Sequence, residues 1–159
     1  MGKDSEYYKA KTHGQKVKLS ELLMLLPNPA VAFIQDKRVT SQPSTLIAYC
    51  YDLLMFFRFL KDKNPYFRNI EIIDITIDQL SHLMPEDIVE YQRYLEFNMI
   101  GEQHENGKKA IARKMSPLRG MFKYQHEHGY IDKDPMVLVK LPRLKKDKNI
   151  IRMDAYEVQ

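Results

Sequence analysis

Two apolar stripes at helical spacing constrain this chain more than anything else in it. Leu46, Tyr49, Cys50, Leu53, Phe56, Phe57 and Leu60 recur at three- and four-residue steps, so they share one face of a helix ending near Lys63. Ile111, Met115, Leu118 and Phe122 form a second such stripe on a helix from about Lys108 to His128. A strand would need alternation at every second residue, which neither segment shows. Such faces need partners to bury them, and the chain supplies further helices. Pro29 to about Arg38 presents Val31, Phe33 and Ile34, and a helix opening at Pro85-Glu86-Asp87 presents Ile88, Tyr91, Leu95 and Met99. Proline in the first turn and acids at the positive end of the helix dipole mark that second start. The fold expected is all-α, a bundle of four main helices.

The punctuation between these helices completes the expectation. Ser20 reads as the N-cap of a short apolar helix, Leu22 to Leu26, ahead of Pro27. Thr40 to Thr45 is a break followed by a capping signal, and Asn64-Pro65 ends the long helix. Ile70 to Ile77 is rich in β-branched residues and reads as a short strand or extended loop. Gly101 to Gly107 reads as a polar loop, and Gly129 as the stop of the last helix. Residues 1–27 form an N-terminal extension, 28–140 the helical domain, and 141–159 a linker leading into the start of another domain.

Charge is segregated along the chain. Residues 108–148 hold twelve Lys and Arg against four acids, a net +8, while the chain as a whole is only +4. Residues 70–105 hold nine acids and one base, Arg93. Opposite faces of the domain should therefore carry opposite signs. A concentrated positive surface needs a polyanion or a solvent face, and nucleic acid is the commonest polyanion. On the last helix Lys109, Arg113 and Lys123 lie opposite the apolar stripe, with Arg119 at the margin and small residues Ala112, Ser116 and Gly120 between them. Small residues there would let the helix axis approach a partner closely, and the long cations could then reach phosphates or base edges. A merely solvated face fits the same spacing. Pro117 removes the amide that would bond the Arg113 carbonyl and should kink this helix.

Several classes fall away. No apolar run reaches the roughly 18 residues a membrane span needs, and Met1 to Glu6 is too polar for a secretory signal. One cysteine, Cys50, permits no internal disulfide framework and reads as a small buried hydrophobe in a cytoplasmic protein. His126-Glu127-His128 lacks metal-ligand geometry, since residues two apart on a helix point to different sides. The acids of 70–105 lack metal-loop spacing, and no phosphate-binding glycine loop exists. No cofactor and no metal are expected.

Three segments in order carry a family resemblance. They are Gln42-Pro43-Ser44-Thr45-Leu46-Ile47-Ala48-Tyr49 with Asp52-Leu53 and Phe56 to Leu60; Arg113 to Tyr124; and Gly129 to Pro135 with Leu141-Pro142. Together, over about residues 29–148, they resemble the N-terminal core-binding domain of the tyrosine recombinases, the phage-integrase family. Gln42 stands where that family usually has Ser, and Ala110 where it often has Thr. The resemblance implies a four- to five-helix orthogonal bundle, SAM-like, that clamps one side of duplex DNA at a recombination site. It makes Ser44, Thr45, Lys109, Arg113, Ser116, Arg119 and Lys123 the candidate DNA contacts, with Lys145 and Lys146 on the linker. Copies of the full-length protein would assemble on the DNA.

The family cleaves DNA with a tyrosine nucleophile, supported by arginines, a lysine and a His-x-x-Arg motif that stabilise the reacting phosphate. Ile151 to Val158 resembles the opening of that catalytic domain. None of the five histidines here has Arg three positions later, and nothing around Tyr156 supplies an arginine cluster. The expectation is a chain that binds DNA and cuts nothing, belonging to a parent that does the cutting. A helical protein-interaction module, using Leu22 to Leu26 and the acidic face, is the competing class.

Overall fold

The structure, a computed structural model, describes residues 2–99 and 104–141 and is an all-helical bundle with no strand among those residues. Helix α1 spans Gly2–Leu23, α2 Asn28–Lys37, α3 Pro43–Lys63, α4 Ile77–Leu80, α5 Pro85–Met99 and α6 His104–Glu127. A single 3-10 turn occupies Ile72–Asp74.

Helix α3 is the centre of the bundle, because its apolar stripe is wide enough to meet neighbours on several sides. Leu46, Cys50, Leu53, Leu54, Phe56, Phe57, Phe59 and Leu60 are all buried, and α1, α2 and α6 pack against it. Phe56 lies edge-on to Tyr91 of α5, ring centres 5.1 Å apart, and to Phe122 of α6 at 6.2 Å. The four expected stripe residues of α6, Ile111, Met115, Leu118 and Phe122, are buried as their spacing requires. Cys50 is completely buried, and burial pushes its thiol up to about 12, which suits a packing residue rather than a reactive one.

The structure corrects four local expectations. Ser20 caps nothing: α1 runs without a break through it, and Leu19, Leu22 and Leu26 join the main core from that end of the chain. The capping signal within Thr40 to Thr45 supplies no side-chain cap for α3; Gln42 is the N-cap, in extended backbone with no side-chain hydrogen bond, and Pro43 starts the helix by its fixed φ. The β-branched run at 70–77 makes no strand, since no partner strand exists among the described residues. It folds into the 3-10 turn and then α4, which Thr76 and Gln79 start with a reciprocal capping box. Gly107 lies inside α6, which begins at His104, and is buried there.

Other boundaries follow the sequence. Asn64 leaves the helical region before Pro65, and Gly129 ends the last helix with φ +76, a conformation costly for any residue with a Cβ. No helix among the described residues is long and apolar enough to cross a membrane.

Candidate nucleic-acid interface

Helical spacing brings Thr45, Ala48, Tyr49 and Asp52 onto one side of α3, at steps of three, four and seven residues. That side meets α6 where Arg113 and Ser116 project. Between the two helices is a groove of about 480 Å³ lined by Ser44, Thr45, Ala48, Tyr49, Asp52, Arg113 and Ser116. Four of the nine candidate contacts, taken from segments some seventy residues apart, thus share one groove. Three hydroxyls and a guanidinium are donors suited to phosphate oxygens.

Lys109, Arg119 and Lys123 are exposed along α6 and do not line the groove. They extend the same positive face instead. Lys123 has a solvent-exposed partner, Glu127, at 4.0 Å, and such a pair holds little energy against a polyanion. Lys145 and Lys146 lie outside the described residues. Gly120 is not the open approach that its small size suggests. A Cβ there would come within 3.0 Å of the Phe33 ring, so glycine serves the packing of α6 on α2.

The residue that sequence reasoning left without a role is Asp52. It is 4% exposed, and two cations share it: Lys114 reaches Oδ1 at 3.5 Å and Arg113 reaches Oδ2 at 3.8 Å. The Lys114 side chain is only 13% exposed whereas that of Arg113 is 61% exposed. Burial raises the Asp52 carboxyl above the ordinary aspartate range, and the pull of Lys114 and then Arg113 offsets this only in part. On its other side Asp52 lines a second groove with Tyr51, Arg58, Tyr94 and Lys114. The one signal in the sequence was a carboxylate placed beside a nearly continuous apolar run, Cys50 to Leu60.

A larger cavity, about 560 Å³, opens between α2, residues 73–77 and the end of α6. Its lining is mostly apolar and its one charged residue is Asp74, so it offers nothing to a polyanion. His126 and His128 place their Nδ1 atoms near the carbonyls of Ile131 and Tyr124, at 3.4 and 2.9 Å. No group of three metal-ligating side chains occurs among the described residues.

Known proteins agree with the resemblance. Tyrosine recombinase XerC of Caldanaerobacter subterraneus is 33% identical over 109 residues, covering 64% of this chain and 30% of that protein. This chain is similar to a part of that tyrosine recombinase. Tyrosine recombinase XerC of Chlorobaculum parvum is 29% identical over 133 residues, covering 81% of this chain and 34% of the relative. The chain spans about a third of the length of the recombinases it matches. No protein-family model matches it, and no solved structure does.

Proposed function

We propose that this chain is the DNA-binding part of a tyrosine-type site-specific recombinase, and that it clamps duplex DNA along α3 and α6 without cutting it. The observation that carries this is the convergence of Ser44, Thr45, Arg113 and Ser116 in one groove beside the exposed cations of α6. Hydroxyls and a guanidinium fix register on the phosphate backbone, while Lys109, Arg119 and Lys123 add charge along its path. Lys145 and Lys146 are included as further contacts on their sequence alone. Sequence-directed cleavage belongs to a catalytic part of the parent, acting in the cytoplasm where copies assemble on the recombination site.

A salt titration of binding to short duplex DNA tests this. Contact with about six phosphates loses roughly 10³-fold in affinity between 50 and 200 mM salt. The Arg113→Ala/Lys123→Ala double variant should bind more weakly and with a shallower slope. No binding at low salt, or a double variant indistinguishable from the parent, would remove α6 from the interface.

The competing module that docks other proteins draws on one observation, the exposed Met24, Leu25 and Phe97 side chains. An apolar interface would barely respond to salt, so the same titration separates the two readings.

A further inference from the structure

We propose that Asp52 is a positioning residue: its buried carboxylate holds the Arg113 guanidinium over the α3–α6 groove, while Lys114 neutralises it from within the bundle. This rests on the DNA-binding role proposed for the groove and adds to it the device that prepares the groove.

A carboxylate is at first sight out of place in a groove meant for phosphates. Its surroundings resolve the conflict. Asp52 is 4% exposed, and its two oxygens are divided between two cations of different character. Lys114, nearly enclosed at 13% exposed, lies 3.5 Å from Oδ1 and by itself balances the charge. Arg113 is then a second, surplus cation. It lies 3.8 Å from Oδ2 and keeps 61% of its side chain open. A guanidinium has five N–H donors in a planar fork, so one edge turned toward Asp52 leaves the others free for a phosphate. At 3.8 Å the carboxylate guides the arginine rather than locking it. A long side chain already held near its bound position loses less freedom on binding, which is the gain from preorganisation.

The sign of one substitution decides the matter. If Asp52 were only a negative charge near the DNA, Asp52→Asn would tighten binding. A positioning residue predicts the reverse, acting through Arg113 alone. The experiment measures affinity for short duplex DNA at fixed salt with the full chain, for wild type, Arg113→Ala, Asp52→Asn and the Arg113→Ala/Asp52→Asn pair. Expected is a loss of about five-fold for Asp52→Asn in the wild-type background and no further loss in the Arg113→Ala background. Tighter or unchanged binding by Asp52→Asn, or an equal loss in both backgrounds, overturns the proposal.

Asp52→Asn strands the Lys114 ammonium and can cost folding, so Asp52→Asn/Lys114→Met is measured beside it. That pair removes both buried charges and leaves Arg113 unguided. It should melt cooperatively and show the same five-fold loss; binding at wild-type affinity overturns the proposal. If Arg113→Ala binds as wild type does, Arg113 is detached from the DNA and the positioning role is overturned; if wild type does not bind, the DNA-binding reading itself fails and the positioning role goes with it. That outcome is distinct from a faulty Asp52 assignment, which leaves the wild-type and Arg113→Ala results intact.

Discussion

Helices α5 and α6 each turn a charged side to solvent, but only α6 brings its charged residues into a groove. On α5 the exposed acids Glu86, Glu90 and Glu96 are spread along the surface, and none lines either groove beside Asp52. On α6 the exposed cations stand next to hydroxyls contributed by a second helix, with a buried carboxylate behind one of them. Charge density is similar in size on both sides and opposite in sign, so it cannot by itself distinguish a site from a solvated face. Convergence does: Arg113 and Ser116 acquire partners from α3 that no reading of α6 alone would supply. An exposed acid with nothing opposite it contributes to solubility and to the long-range field, and to little else.

The comparison depends on both helices being carried by one core, and the largest expected effect tests that. Phe56 touches Tyr91 of α5 and Phe122 of α6, so Phe56→Ala removes the ring that joins them. Urea unfolding of the full chain should show a loss of about 3–5 kcal/mol. A midpoint near wild type would mean that the two faces do not share this core. Next in size is the contrast between two small residues of α6. Gly120→Leu drives a side chain into Phe33, whose ring already lies 3.0 Å from where a Cβ would be, and should cost roughly 1–3 kcal/mol. Ser116→Ala, exposed in the groove, should stay within about 0.5 kcal/mol. Equal costs at the two positions would mean that packing does not separate them. Smaller again is Arg113→Ala, which should lower the slope of log affinity against log salt by about one while leaving the melt unchanged. An unaltered slope would detach Arg113 from the phosphates.

Burial and pairing differ in how far the sequence reveals them, and the reason is their range. The stripes of α3 and α6 repeat over four or more turns, so Leu46 to Leu60 and Ile111 to Phe122 announced their buried faces. Stop signals that need a special backbone, such as Gly129, were equally legible. Short-range start signals failed where tertiary packing outweighed them: α1 continues through Ser20 because Leu19 and Leu22 have α3 to pack on. Of the two readings of the β-branched run at 70–77 the strand failed, since strand propensity has no effect without a strand to pair with, and the loop was nearer the outcome. In the groove, Ser44, Thr45, Arg113 and Ser116 were nameable singly, but their meeting depends on how α3 crosses α6. The sharing of Asp52 between Arg113 and Lys114 is a product of that crossing and has no counterpart in any local pattern.

The smallest expected effect is the sharpest check on the contrast between the two faces. Glu86→Gln/Glu90→Gln removes two exposed acids from α5 and nothing that packs. Both are outside the grooves beside Asp52, and at physiological ionic strength charges beyond about 8 Å are largely screened. Stability should stay within about 0.5 kcal/mol, with a small loss because acids in the first turn favour the helix dipole. DNA affinity should rise by less than about two-fold, through the general field alone, with an unchanged salt slope. If the double variant instead altered the slope as much as Arg113→Ala does, the acidic helix would lie along the DNA path. The distinction between a built groove and a merely charged surface would then have to be redrawn around α5.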